Sequence, residues 1–228
     1  VYASNGVGTA YVNEISFSTN TSNGFSSCGG VTDVDGNSYQ TVQIGTQCWT
    51  QSNLKVSKYR NGDNIPTGLS NTAWQNTTAG AYVVYNNALV NDTLYGKLYN
   101  HYAVMDSRGL CPTGWHVPTD GEWTTLETFL GGSSVAGGAL KSTVTQPTPG
   151  GWNLPNTGAT NSSGFTAGPG GLRSLNGDFV LVGDDGYWWS SSLSGPNAWV
   201  RYLYYYNGSI YRSGSSRTYG FSVRCLRD

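Results

Sequence analysis

The chain has 228 residues, with 12 Lys and Arg against 13 Asp and Glu, so its net charge at neutral pH is −1. Charged residues make up 11% of the sequence, against ~25% in typical globular proteins. There is no basic excess to attract nucleic-acid phosphates. Aromatic residues make up 13%, which argues against a disordered chain. A composition rich in Ser, Thr and Asn rather than charges is typical of a secreted β-rich protein.

The first twenty residues predict two short strands around Asn5-Gly6, a dipeptide that favours tight hairpin turns. Residues 1–20 resemble the last two strands of a fibronectin type III-like domain, and the polar residues 21–27 resemble a linker. We therefore expect a domain over 28–228 that is attached to upstream domains. No apolar run reaches the ~20 residues of a transmembrane helix, and no signal-peptide pattern is present.

Residues 31–44 alternate around Asp35-Gly36-Asn37 and predict a hairpin. Asp33, Asp35 and Asn37 have the spacing with which calcium loops begin. The glycine and the bidentate glutamate that complete such a loop are missing, so the pattern favours a plain turn.

The clearest helix is predicted over 120–130, because Thr119 and Glu122 have the spacing of a capping box and apolar residues share one helical face. Gly131 supplies a stop signal. A shorter helix is expected over 136–141.

Residues 143–186 are rich in Gly, Pro and Asn, which predicts long ordered loops with few regular elements. Strands are predicted after them, over 187–192, 198–206, 209–211 and 219–226. Strands first, one or two helices in the middle and a final antiparallel sheet indicate an α+β fold.

Four cysteines are present, and none has CxxC spacing: Cys28, Cys48, Cys111 and Cys225. An even number in this composition favours two disulfides and an oxidising compartment, while four buried free thiols are the alternative. Structural zinc is not expected.

No catalytic constellation is apparent. His101 and His116 are the only histidines, and no nucleophile motif accompanies them. We expect His116 to be a structural hydrogen-bonding residue. Asp184 and Asp185 are adjacent in a predicted turn, so their side chains diverge and do not form an acid/base pair. The sequence predicts no enzyme, cofactor or metal site.

The segment 198–219 is the most informative. Strand alternation places Trp199, Arg201 and Leu203 on one face of the strand and the tyrosines on the other. Tyr offers a large, rigid contact area with a polar tip, and Ser, Gly and Asn adapt around it. The candidate ligand-binding residues are Val200, Tyr202, Tyr204, Tyr206, Asn207, Gly208, Ser209, Tyr211, Ser213, Gly214, Ser215, Ser216 and Tyr219, with Trp188 and Trp189 as more buried supports. The alternative is a Tyr-rich sheet with a disordered Gly/Ser hairpin.

Seven motifs in order over residues 31–228 resemble the Fibrobacter succinogenes major paralogous domain: VTDVDGNSYQTVQIGTQCW, LYGKLYNHYAVMD, CPTGWHVPTDGEW, GFTAGPGGLR, GYWWSSS, AWVRYL and GFSVRCLRD. Such domains occur in surface and secreted proteins of Bacteroidetes-like bacteria. The resemblance implies a C-type lectin-like α+β fold whose C-terminal antiparallel sheet carries the ligand-binding face. Gly168 and Leu172 depart from the family's usual Leu and Tyr. Within this fold we expect the disulfides Cys28–Cys48 and Cys111–Cys225.

Some members of the family resemble the variable proteins of diversity-generating retroelements, in which C-terminal codons are rewritten at template adenines. Eight residues here are reachable from the Asn codon AAC by adenine changes: Tyr206, Gly208, Ser209, Ser213, Gly214, Ser215, Ser216 and Tyr219. A hypervariable surface is one interpretation, and an ordinary fixed Tyr/Ser-rich surface is the other.

Together these features predict an extracellular or surface-displayed binding protein, such as an adhesin, a pilus-tip subunit or a receptor-binding protein. Its expected partner is a protein or glycan on another surface, and the domain is expected to be monomeric. Because 198–219 contains no acid, calcium-independent binding is expected, with a structural ion near Asp184 or Asp185 as an alternative. Alternative functions are a fixed carbohydrate-binding or structural module, and a formylglycine-generating-enzyme-like catalyst, which needs reactive cysteines.

Overall fold

The computed structural model describes residues 2–5, 8–11 and 25–228. Near the N terminus, β1 (Tyr2–Asn5) and β2 (Gly8–Tyr11) pair antiparallel, with Tyr2 opposite Tyr11 and Asn5 opposite Gly8. This agrees with the two predicted strands. The predicted turn residue Gly6, the remaining residues of the tail over 12–20 and most of the linker over 21–27 lie outside the described residues. The domain boundaries therefore stay a prediction.

The hairpin predicted over 31–44 is confirmed: β3 (Val31–Thr32) pairs with β4 (Ser38–Tyr39), and β5 (Thr41–Ile44) and β6 (Gln47–Thr50) follow. The Asp33 carboxylate closes the turn, because it accepts from the backbone N–H groups of Asp35 and Asn37 and from the Tyr39 hydroxyl at 2.6 Å. These bonds make the segment a plain turn.

The middle of the chain has short elements that no sequence pattern indicated. They are α1 (Asn71–Asn76), β7 (Tyr82–Val84), a 3₁₀ turn (Tyr85–Asn87), α2 (Leu89–Tyr95), β8 (Lys97–Tyr99), α3 (His101–Val104) and β9 (Trp115–His116). None is long enough to show a clear hydrophobic period, so packing rather than local pattern defines them.

The two predicted helices are confirmed as α4 (Asp120–Phe129) and α5 (Ser133–Leu140). The capping box is present: Glu122 N–H donates to Thr119 Oγ1 at 3.2 Å, and Thr119 N–H donates to Glu122 Oε2 at 2.7 Å. The helix buries Trp123 and Leu126. Across the described residues, no helix combines the length and apolarity needed to cross a bilayer.

The C-terminal half forms a five-stranded sheet of β10 (Gly170–Arg173), β11 (Phe179–Val182), β12 (Asp185–Ser194), β13 (Asn197–Tyr204) and β14 (Ile210–Ser215). The strand order is β11-β10-β12-β13-β14, with only the β10–β12 pair parallel. Since β10 and β11 lie within 143–186, the prediction of few regular elements there was partly wrong.

The strand predicted over 219–226 is also corrected. Residues 220–222 make isolated bridges to three different segments, and only β15 (Leu226–Arg227) is a strand. It joins a second, four-stranded sheet of order β5-β6-β15-β9. The fold is α+β with a C-terminal antiparallel sheet, as expected.

The core lies on both sides of the five-stranded sheet. Trp189 and Val200 belong to one buried cluster, and Trp188, Leu203 and Ile210 belong to the other. Both expected disulfides are present, Cys28–Cys48 and Cys111–Cys225. The second lies in the first cluster and closes 114 residues of sequence, which anchors the C terminus against the segment before α4.

Candidate functional site

Three neighbouring strands bring tyrosines into one row. Tyr187 of β12 lies opposite Tyr202 of β13, and Tyr202 lies opposite Tyr211 of β14. Because side chains of paired residues project to the same side of a sheet, all three rings share one face. We call the surface formed by Tyr187, Tyr202, Tyr204, Tyr206, Tyr211 and Tyr219 the tyrosine face.

The row extends into a ladder of five rings, in the order Tyr219, Phe221, Tyr187, Tyr202 and Tyr211. Successive centroids are 5.1–5.5 Å apart, and the ring planes differ by 14–26°. Each ring therefore covers part of its neighbours' flat faces. Phe221 is 2% exposed, so the edges and hydroxyl groups that the ladder offers to a ligand, rather than open ring faces, belong mainly to the partly exposed Tyr219, Tyr202 and Tyr211.

Tyr204 and Tyr206 extend this surface along the strand. Their rings stack at 5.0 Å and 13°, and Tyr204 also lies 5.1 Å from the Tyr211 ring. Tyr206 is 52% exposed, the largest exposure on the tyrosine face. Burial, with the neighbouring Tyr202 hydroxyl, raises the pKa of Tyr204 to about 12. At neutral pH this hydroxyl is therefore a neutral donor.

Asp185 lies beneath the tyrosine face, opposite Tyr204 in the strand register. Its side chain is 5% exposed and accepts a hydrogen bond from the Tyr187 hydroxyl at 2.8 Å. Burial raises the pKa of Asp185 to about 6, and the charge of Asp184 adds to the rise. Sequence reasoning missed this role, although alternation along β12 places Asp185 and Tyr187 on the same side.

The opposite side of the sheet is tied to α4. Arg201 is fully buried, as its predicted position beside Leu203 implies, and donates to Asp120 Oδ1 at 2.7 Å and Thr124 Oγ1 at 3.0 Å. Arg212 donates to both Asp120 oxygens at 2.7–2.9 Å, and its guanidinium lies 3.3 Å from the Trp199 ring centroid. The Asp120 carboxylate thus links β13 and β14 to α4 on the side of the sheet opposite the tyrosine face.

A buried lysine supports the turn between β13 and β14. Lys141 Nζ donates to the carbonyls of Thr157, Tyr204 and Asn207 at 2.8–3.1 Å. Burial lowers the pKa of Lys141 to about 8. The Asn207 side chain donates to the Tyr211 hydroxyl at 2.9 Å, so Asn207 orders the turn from within. The sequence contains no local signal for the role of Lys141.

The same turn rests on a glycine pair in α5. Gly138 N–H donates to the Gly208 carbonyl at 2.8 Å, and a Cβ at Gly137 would lie 2.2 Å from the Ser209 carbonyl oxygen. Only a residue without a side chain allows this close approach. Gly208 therefore contributes to the position of the turn.

Two predicted site residues are corrected. Val200 is 1% exposed and belongs to the same buried cluster as Trp189, so it is part of the core rather than of the exposed surface. Gly214 lies opposite Trp199, on the reverse side of the sheet. The remaining predicted residues Ser209, Ser213, Ser215 and Ser216 are half-buried near the edge of the sheet, and Ser216 Oγ lies 3.0 Å from Thr218 Oγ1. Trp188 and Trp189 are buried supports, as expected.

The histidines have structural surroundings. His101 is buried, its Nε2 lies 3.0 Å from the Ser190 carbonyl, and burial lowers its pKa to about 4. His116 lies between Asp228, at 2.6 Å, and Glu122, at 3.0 Å. Although burial opposes it, these two carboxylates raise the pKa of His116. This agrees with a hydrogen-bonding role for His116.

The acids in and near the segment where a structural ion was the alternative, Asp178 and Asp184, accept hydrogen bonds from amide side chains. Asp178 accepts from the Asn71 side chain at 3.1 Å, and Asp184 accepts from the Asn153 side chain at 2.9 Å. Among the described residues, no three His, Cys, Asp or Glu side chains converge in a potential metal site.

A family model described as the Fibrobacter succinogenes major domain matches residues 42–227. No curated protein and no solved structure matches the chain.

Proposed function

The chain belongs to the Fibrobacter succinogenes major domain family, and we propose that it is an extracellular or surface-displayed binding protein whose ligand contacts the tyrosine face. The observation that carries this proposal is the continuous run of contacting aromatic rings from Tyr206 to Tyr219, in which the stacked Tyr204–Tyr206 pair joins the stacked ladder through a tilted contact between Tyr204 and Tyr211. Aromatic side chains with hydrogen-bonding tips are enriched where proteins bind partners.

The supports of the face favour binding over a purely structural role. Asp120 holds β13 and β14, and Lys141 holds the turn between them. A rigid face loses little conformational entropy when it binds. Two disulfides also favour an oxidising, extracellular location. A C-type lectin-like fold and display on an adhesin or pilus tip are part of the same proposal.

The enzyme alternative, a formylglycine-generating-enzyme-like catalyst, requires reactive thiols. Pairing of all four cysteines favours a binding protein over it. The alternative of a fixed carbohydrate-binding module requires ring faces open to a sugar, and the stacking of the ladder disfavours it. We further propose that the segment 198–219 is hypervariable. The positions expected to vary, such as Ser213 and Ser215, are partly exposed, whereas the framework residues Ile210 and Cys225 are buried.

The binding proposal is tested by screening the protein against a random-peptide phage library and a glycan array. Tyr204→Ser with Tyr206→Ser should abolish enrichment of ligands, because interface aromatics each contribute about 2 kcal/mol. The control Phe129→Ser removes an aromatic that is 62% exposed on α4 and should change nothing. Thermal unfolding should show that both variants stay folded. No enriched ligand, or ligands equally enriched by the double variant, would contradict the proposal.

Hypervariability has its own test. Sequencing the gene region that encodes residues 198–228 across a population should show substitutions at Tyr206, Ser213 and Ser215 and none at Ile210 or Cys225. A uniform sequence would reject diversification and leave the binding proposal in place.

A further inference from the structure

We propose that the tyrosine face selects an acidic, extended segment of a protein partner, and that Arg217 supplies the positive charge. This inference rests on the proposed function, because it assumes that the tyrosine face is the binding surface.

The segment 198–219 carries an excess of positive charge. Residues 198–219 contain three arginines and no acid. Arg201 and Arg212 both pair with Asp120 behind the sheet. Within the described residues, Arg217 forms no ion pair, so its charge is not neutralised by a neighbour.

The backbone of Arg217 lies at the Tyr219 end of the ladder. Arg217 lies in a turn closed by the hydrogen bond from Tyr219 N–H to the Ser216 carbonyl at 3.1 Å, and Tyr219 is the ladder's terminal ring. The neighbouring His101 donates its backbone N–H to the Arg217 carbonyl. His101 is neutral at neutral pH, since burial lowers its pKa to about 4.

The guanidinium of Arg217 is oriented by an aromatic ring rather than by acceptors. It lies 4.3 Å from the Tyr102 ring centroid, a cation–π contact. Its Nε is buried without a hydrogen-bond partner. In the part of the chain that the structure describes, the terminal nitrogens also donate no hydrogen bond. A carboxylate is the acceptor that a guanidinium binds best.

The partly exposed tyrosines of the ladder, Tyr219, Tyr202 and Tyr211, favour the same chemistry. Ring edges carry partial positive charge, and tyrosine hydroxyls donate, so both complement carboxylate and carbonyl oxygens. Asp185 is the opposing charge on this face, but it is 5% exposed and bonded to Tyr187. From Tyr219 to Tyr211, four gaps of 5.1–5.5 Å give a length of roughly 20 Å, which matches about six residues of extended chain at ~3.3–3.6 Å each. Phe221 is 2% exposed within this span, so the contacts come from the partly exposed Tyr219 at one end and from Tyr202 and Tyr211 at the other. Because the ring faces are covered, a polypeptide fits better than a sugar that must stack.

The test uses fluorescein-labelled hexaglutamate, hexaglutamine, hexalysine and oligogalacturonate in fluorescence polarisation at low and high salt. Hexaglutamate should bind at least about tenfold more tightly than hexaglutamine, and the difference should shrink at high salt. Arg217→Gln should remove the preference, whereas Arg217→Lys should retain most of it. Arg227→Gln removes an equal charge from β15 and should leave affinity within about twofold. Thermal unfolding of each variant checks the fold.

Equal affinity for hexaglutamate and hexaglutamine, or an equal loss in Arg227→Gln, would overturn the proposal. Tighter binding of oligogalacturonate would overturn the choice of a polypeptide. The random-peptide library distinguishes failure of the acidic-partner proposal from failure of the binding proposal. Enriched peptides that depend on Tyr204 and Tyr206 but carry no acidic excess would leave the binding surface standing and reject the acidic partner.

Discussion

Replacing Asp185 with Asn should stabilise the protein at pH 8 by about 2 kcal/mol and change its stability little at pH 4. Asp185 is 5% exposed, and burial raises its pKa from 3.8 to about 6. At 1.36 kcal/mol per pKa unit, this shift corresponds to roughly 3 kcal/mol. Asn is isosteric and still accepts from the Tyr187 hydroxyl, although more weakly than a carboxylate, which reduces the expected gain.

The direction of the pH dependence follows from where the proton binds. Because the pKa of Asp185 is higher in the folded state, the folded protein binds more protons than the unfolded chain between about pH 4 and 6. The contribution of Asp185 to stability is therefore fully present below pH 4. It is lost as pH rises through 6, and it stays lost above that.

Urea unfolding followed by tryptophan fluorescence at pH 4, 5, 6 and 8 measures this difference. Asp184→Asn is the matched control, because it makes the same substitution at the neighbouring residue and leaves the buried carboxyl in place. The free energy of unfolding of Asp184→Asn should still decrease between pH 4 and 6, as it does in the unsubstituted protein. A stability gain of Asp185→Asn that is equal at pH 4 and pH 8, or a destabilisation at pH 8, would refute the assignment of a buried carboxyl with a raised pKa.

Two further predictions concern the framework of the face. Replacing both Cys111 and Cys225 with Ala should lower the free energy of unfolding by roughly 5 kcal/mol, because this disulfide closes a loop of 114 residues. Replacing both Cys28 and Cys48 should lower it by roughly 3 kcal/mol, because that loop has 20 residues. The reverse order in urea unfolding would contradict the loop-closure reasoning. Gly137→Ala should destabilise by ~1–3 kcal/mol, because its Cβ would lie 2.2 Å from the Ser209 oxygen. Gly121→Ala in α4, whose nearest atom would be 3.9 Å away, should stabilise by up to about 1 kcal/mol, and the sign of each change in urea midpoint checks the pair.

Local chemistry was sufficient for several elements. The capping box of Thr119 and Glu122 predicted α4, because its two hydrogen bonds involve residues three positions apart. Alternation placed Arg201 and Leu203 on the side away from Tyr202, since successive side chains in a strand point to opposite faces. The hairpin closed by Asp33 was also recognisable from the sequence, because the bond from Asn37 N–H to Asp33 joins residues four positions apart.

Other features depend on segments that are distant in sequence. Alternation placed Val200 on the side of the tyrosines, but its burial depends on a core cluster whose members come from segments distant in sequence. The segment 219–226 was predicted as one strand, and its residues 220–222 instead form bridges to three separate parts of the chain.

The site shows the same division. The sequence alone determined that tyrosines recur along one side of β13, because a two-residue period is a local property. Tertiary structure decided that Phe221 and Tyr219 extend the row, that Asp120 and Lys141 hold it from behind, and that Asp185 lies beneath it. The contacts of Phe221, Asp120 and Lys141 with the strands and turn of the face join residues brought together by strand pairing and helix packing, and no spacing along the chain encodes such a meeting.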